Sequence, residues 1–227
     1  RMEDASACNQ SDYIYRNSGY PAHGNTTAEY FQVGDDMFPV LVHELEQAKH
    51  FIFIEYFIIN DGVMWRTILD ILERKASEGV DVRLIYDGFG CLTTLPYHYD
   101  RFLKEKGIQC RIFNPFRPLL NIVQNNRDHR KICVIDGHTG FTGGINLADE
   151  YINQKRRFGH WKDTAVILKG EAVWNMTVMF LHMWNVIANS SKPIDHELHL
   201  PHHFHPDSFE SDGVTICSIL APLLRLL

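Results

Sequence analysis

DHRKICVIDGHTGFTGGINLADEY, residues 128–151, reads as a strand, a tight turn, a return strand and a glycine corner, and the rest of the chain is organised around it. Residues 131–135 are apolar apart from Lys131 and mostly β-branched, Asp136-Gly137 is a two-residue hairpin signal, and residues 138–142 form the return strand. Alternate side chains of a strand share a face, so His129 and Lys131 point one way while Arg130 and Ile132 point the other. An imidazole and an ammonium thus converge. A neutral His nitrogen is a competent nucleophile near neutral pH, and Lys offers a compact positive charge to phosphate oxygens as negative charge builds. One such preorganised contact lowers a barrier by about 3–4 kcal/mol.

The candidate catalytic set is His129, Lys131, Asp136 and Asp163. Within it Asp136 lies seven residues from His129, an odd offset that faces it away from the imidazole, so its expected role is that of a turn or scaffold carboxylate. Asp163, at the start of DTAVIL, is the expected acceptor that fixes the tautomer of His129. Gly143 and Gly144 are expected to let backbone amides approach a ligand, and Asn146 to add a carboxamide, so that together they ring a phosphate.

Upstream, Val40, Leu41, Leu45 and Ala48 recur at helical spacing over residues 38–49, and FIFIEYFII (51–59) is a buried-strand run. Helical spacing returns over 64–77, Gly79 stops it, and 80–86 is again a strand, which makes a β-α-β unit. A polar helix (97–106), Gly107 and a strand (109–113) repeat the pattern. Downstream follow a short helical turn (146–151), a strand (164–168) and an amphipathic helix (171–187). The fold class is α/β: a mostly parallel, mixed sheet flanked by helices. Residues 1–27 read as a lead segment, 28–189 as the domain, and 190–227 as a His- and Pro-rich linker with an atypical tail. Glu55 interrupts an apolar run, where an unpaired carboxylate is costly. It either faces a basic group at the site, on the substrate side, or points out at an edge.

The net charge of -6 over 227 residues gives no global basic footprint for nucleic acid. Local basic clusters occur at Arg127, Arg130, Lys131 and at Lys155, Arg156, Arg157, the second of which suits anionic head groups or simply a solvated face. Five cysteines without C-x-x-C spacing fit neither a zinc site nor a disulfide framework. The longest apolar run is far short of the roughly 20 residues a membrane-spanning helix needs. The chain opens on Arg1 and reads as a piece of a longer product.

H-x-K-x(4)-D followed by G-G-x-N, here His129, Lys131, Asp136, Gly143, Gly144 and Asn146, resembles the mark of the phospholipase D superfamily. The blocks FIFIEYFIINDG, GVDVRLIYDGFG, NNRDHRKICVIDG, GFTGGINLADEYI and FGHWKDTAVILKG look like the first catalytic half of a bacterial cardiolipin synthase, across residues 20–185. The resemblance implies transfer of a phosphatidyl group from one phosphatidylglycerol to a histidine, with release of glycerol, and then to a second phosphatidylglycerol. It implies no metal and no nucleotide cofactor. It also implies an anionic phospholipid substrate, a membrane surface at the cytoplasmic face of a bacterial cell, and no nucleic acid.

Two such motifs face each other in the family, whereas His160-Trp161-Lys162 has Ile167 where the Asp belongs. The missing half is then either further sequence or a homodimer mate. The alternatives are a hydrolase or nuclease of the same superfamily, and a half that is inert by itself.

Overall fold

A computed structural model of the chain describes residues 4–116, 126–156 and 159–188. The run FIFIEY becomes β2 (Phe51–Tyr56), all six of its residues buried. Both its faces are covered. Ile52, Ile54 and Tyr56 enter one core with Leu41 and Leu45 of α2 (Gly34–Gln47) and Trp65 and Ile68 of α3 (Val63–Ser77). Phe51 and Phe53 enter a second core with Phe180 and Trp184 of α5 (Val173–Ile187).

The other strands are β1 (Thr26–Phe31), β3 (Asp81–Asp87), β4 (Gln109–Phe113), β5 (Lys131–Ile135), β6 (Thr139–Gly143) and β7 (Ala165–Gly170). With β2 they form one seven-stranded sheet in the order β1-β7-β6-β5-β2-β3-β4. The remaining helices are α1 (Ala5–Ser18) and α4 (Tyr99–Glu105). The α/β mixed sheet flanked by helices is therefore present, but its parallel part is confined to β2-β3-β4. The other four pairings are antiparallel, and of these β5–β6 is a hairpin whose short turn leaves no room for a crossover helix.

That hairpin turns on Asp136 (φ 52°) and Gly137 (φ 66°), the paired left-handed conformation of a type I′ turn. The Asp136 carboxylate leaves the turn sideways and accepts the backbone N–H groups of Lys49, His50 and Phe51 at 2.8, 2.8 and 2.9 Å. It anchors the start of β2 to the end of β5.

The lead segment assigned to residues 1–27 holds α1 and the first two residues of β1. The α1 helix is capped by Asp4 and by Gly19 in the left-handed region, and β1 adds an edge to β7. Residues before β1 also dock on α5, where Asn175 Nδ2 donates to Pro21 O and Asn25 Nδ2 donates to Glu171 Oε1. The folded unit thus starts earlier than residue 28. Residues 146–151 form turns rather than a helical turn, and the linker and tail assigned to 190–227 lie outside the described residues.

Candidate active site

Pairing of Tyr56 with Lys131 places the N-terminal end of β5 beside the C-terminal ends of β2, β3 and β4. Side chains at that end of a parallel segment stand clear of the ladder, where ligands bind in open α/β sheets. His129 stands exposed two residues before β5 proceeds inward, and Lys131 is buried. The Lys131 ammonium donates to His129 O at 2.6 Å and lies 3.1 Å from His129 Nδ1. Phe57 backs both groups: its ring centroid is 4.7 Å from that of His129 and 5.4 Å from Lys131 Nζ.

Burial pushes the Lys131 ammonium down to about 8, against the opposing pull of the Asp163 and Asp128 charges. The His129 imidazole is also held below its ordinary value, first by desolvation and then by Lys131, with Asp128 and Asp87 opposing. A neutral imidazole facing an ammonium through Nδ1 accepts there and carries its proton on Nε2.

Asp163 does not meet His129. Its Oδ1 accepts the N–H of Thr164 at 2.8 Å, and its charge acts on Lys131 instead. The expected orienting contact is therefore not formed, because Lys131 already occupies Nδ1.

The glycine corner also differs from expectation. Gly144 N–H donates to Thr164 O at 2.9 Å, and a Cβ at Gly144 would stand 2.0 Å from Asp163 Oδ1. A Cβ at Gly143 (φ 155°) would stand 2.3 Å from Thr164 O. The close approach these glycines allow is that of the protein's own chain entering β7. Asn146 is buried, accepts from Ile58 N at 3.1 Å and donates to the Tyr151 hydroxyl at 2.8 Å, which leaves one amide hydrogen for a ligand. Asp136, through its three amides on 49–51, lies at the opposite end of β5 from His129.

Glu55 faces away from Lys131. It shares the β2 face of Phe51 and Phe53, toward α5, with Arg130 Nη2 2.8 Å from its Oε1. The basic group beside it is therefore Arg130, on the sheet face away from Lys131.

Asp87, buried at the end of β3, went unread in the sequence. Its Oδ1 accepts from Phe89 N, Gly90 N and Arg127 Nη1, and its Oδ2 from Asp128 N. It ties the loop after β3 to the segment that carries His129. The signal was Asp87 followed by Gly88-Phe89-Gly90, an acid at a strand end with a glycine loop to fold back on it. A cleft of about 480 Å³ lies beside this segment, lined among others by Phe113, Arg127, His129, Met179 and Met183.

The family described as "Cardiolipin synthase, PLD-like domain" matches residues 41–184. An uncharacterised protein of Streptococcus mutans is 47% identical over 201 residues, 88% of this chain and 43% of that protein. A cardiolipin synthase of Listeria monocytogenes is 35% identical over 207 residues, 90% of this chain and 43% of the enzyme. Cardiolipin synthase 2 of Bacillus cereus is 43% identical over 152 residues, 66% of this chain and 29% of the enzyme. The chain thus spans less than half the length of these relatives.

Among solved structures, phosphatidylserine synthase of Haemophilus influenzae superposes with a TM-score of 0.58 at 14% identity, covering 84% of this chain and 46% of that one. NucT from Helicobacter pylori superposes with a TM-score of 0.55 at 14% identity, covering 70% and 96%. Those two likenesses are of fold. With the family match over 41–184 and the geometry above, the chain belongs to the phospholipase-D-like domain family of cardiolipin synthases.

Proposed function

We propose that the chain supplies one of two catalytic halves of a phosphatidyltransferase that converts two phosphatidylglycerol molecules into cardiolipin and glycerol. The observation that carries this reading is the surface imidazole of His129 set 3.1 Å from a buried ammonium that forms no salt bridge to a carboxylate among the described residues. A phosphodiester monoanion draws the Lys131 ammonium onto a non-bridging oxygen. Nδ1 is then free to accept a proton, the imidazole proton moves from Nε2 to Nδ1 by exchange through water, and the lone pair left on Nε2 makes it the nucleophile. Nε2 attacks phosphorus, the P–O bond to glycerol breaks, and the leaving oxygen takes a proton from the corresponding histidine of the other half. The histidine of the other half, now neutral, takes the proton of a second phosphatidylglycerol's hydroxyl as its oxygen attacks phosphorus, and the P–N bond breaks to return His129.

The second half is further sequence of the full-length protein or a homodimer mate, and the site works at the cytoplasmic face of the cell membrane. Among the described residues no helix is long and apolar enough to cross a membrane.

The test supplies labelled phosphatidylglycerol and a nucleic acid side by side to the full-length protein and to this chain. An acid-labile, base-stable lipid phosphate on His129, lost in His129→Ala, supports the reading. Turnover of nucleic acid alone overturns the lipid assignment, and an inactive monomer of this chain beside an active full-length protein assigns it as an inert half.

A further inference from the structure

On the sheet face away from Lys131, one guanidinium serves two buried carboxyl groups. Arg130 Nη2 is 2.8 Å from Glu55 Oε1, and Arg130 Nε is 2.9 Å from Asp128 Oδ1. The Glu55 side chain is 0% exposed and that of Asp128 5%. With both acids ionised the cluster carries a net negative charge inside the protein, where an uncompensated charge is costly. Hydrogen bonding points the same way. Among the described residues neither Glu55 oxygen receives an aligned donor, although Asp128 lies within hydrogen-bonding reach of it. Two carboxylates are acceptors only and cannot bond each other; one proton between them turns Glu55 into a donor to Asp128 and neutralises the cluster.

We propose that Glu55 is a neutral acid whose proton donates a hydrogen bond to Asp128, and that with Arg130 the pair forms a buried positioning triad fixing the backbone on both sides of His129. Burial first, and then the Asp128 charge, push the Glu55 carboxyl well above its ordinary range, while Arg130 opposes them. Among the described residues the titratable or charged groups facing it are Asp128, Arg130 and Tyr20. Asp128 and Arg130 flank the imidazole in sequence, and Asp128 N is further held by Asp87 Oδ2 at 3.0 Å. A shift of either side chain therefore moves His129 off the Phe57 ring. The triad touches no substrate; its importance rests on the reading of His129 as the reacting residue.

Two measurements on this chain test the proposal, and neither needs turnover, so their failure is distinct from failure of the phosphatidyltransferase reading. The first is urea unfolding from about pH 5 to about pH 8 for the parent and Glu55→Gln. Folded Glu55 keeps a proton that the unfolded chain releases above the ordinary value of 4.5. The parent therefore loses stability relative to the variant as pH rises, by about tenfold in the folding constant per pH unit while the folded proton is retained. Parallel pH profiles overturn the neutral Glu55.

The second is proton NMR of the His129 ring, assigned by its absence in His129→Ala. Contact with Phe57 gives it a ring-current shift, which Glu55→Gln keeps. Arg130→Met loses it, as does Arg130→Lys, which keeps the charge but cannot bridge two carboxyls and stands in where Arg130→Met does not fold. A folded Arg130 variant that retains the shift overturns the positioning role.

Discussion

The Lys131 ammonium donates to the carbonyl of His129 at 2.6 Å while lying 3.1 Å from Nδ1 of the same residue. One cation therefore holds the imidazole in its resting tautomer. It is itself buried at the cost of a lowered affinity for its proton.

A folded Lys131 near 8 against an ordinary 10.5 means that the unfolded chain binds more protons between those values. Stability consequently rises with pH across that window and is lower below it. Lys131→Met should stabilise the protein at neutral pH by about 1–3 kcal/mol while abolishing phosphate transfer, as catalytic groups often do. Urea midpoints at about pH 7 and pH 10 check this: the advantage of the variant should shrink at the higher pH.

Lowering of the His129 value gives the opposite limb of the rate profile. Desolvation and Lys131 keep the imidazole neutral to below its ordinary 6.5, so the acid limb of single-turnover phosphorylation should fall below that pH. Lys131→Gln removes the repelling ammonium and should move the His129 titration upward, as read by proton NMR of the ring, which needs no turnover. A limb at or above 6.5 in the parent would contradict the assignment.

Asp136 accepts three backbone amides, and bonds of this kind to a charged acceptor are each worth about 1.5–3 kcal/mol. Asp136→Ala should cost about 2–4 kcal/mol, less than their sum because water re-enters at Lys49 and His50. Faster amide exchange at Lys49, His50 and Phe51, with the His129 ring contact intact, would mark the loss as one of scaffold.

At Gly144 an added methyl would meet the Asp163 carboxylate at 2.0 Å and push it from its place near Lys131. Gly144→Ala should therefore reduce transfer by about tenfold or more with a stability loss of about 1–2 kcal/mol. Gly143→Ala meets backbone at 2.3 Å and should act chiefly on stability. Parallel melts and single-turnover rates separate the two.

The central strands were legible because their apolar runs are buried on both sides: β5 falls at 131–135 as read, and β2 fills 51–56 of the run read over 51–59. β1 escaped because an edge strand needs no alternation. Its middle four residues are exposed, and its only strand neighbour is β7. The direction of the strands escaped for a related reason, since periodicity reports burial and says nothing of which neighbour a strand finds.

Within the site, His129 and Lys131 converge by parity, and the same parity sends Arg130 to the Glu55 side. Residues whose work is done by contact at long range gave no such signal. Asp87 reaches Asp128 across 41 positions, and Gly144 makes room for Asp163, facts that only the folded chain contains.

The pairing of residues 26–31 with 165–170 joins the first strand of the sheet to the last. On a ribosome the N-terminal strand emerges long before its only neighbour, and non-local pairings of this kind close slowly. The corner at 143–144 is likewise shaped by Thr164 and Asp163, which belong to that late segment. Assembly of the reacting groups is thus timed to the end of synthesis of the domain, and until then β1 stays an open ribbon that a chaperone or a second nascent chain can occupy.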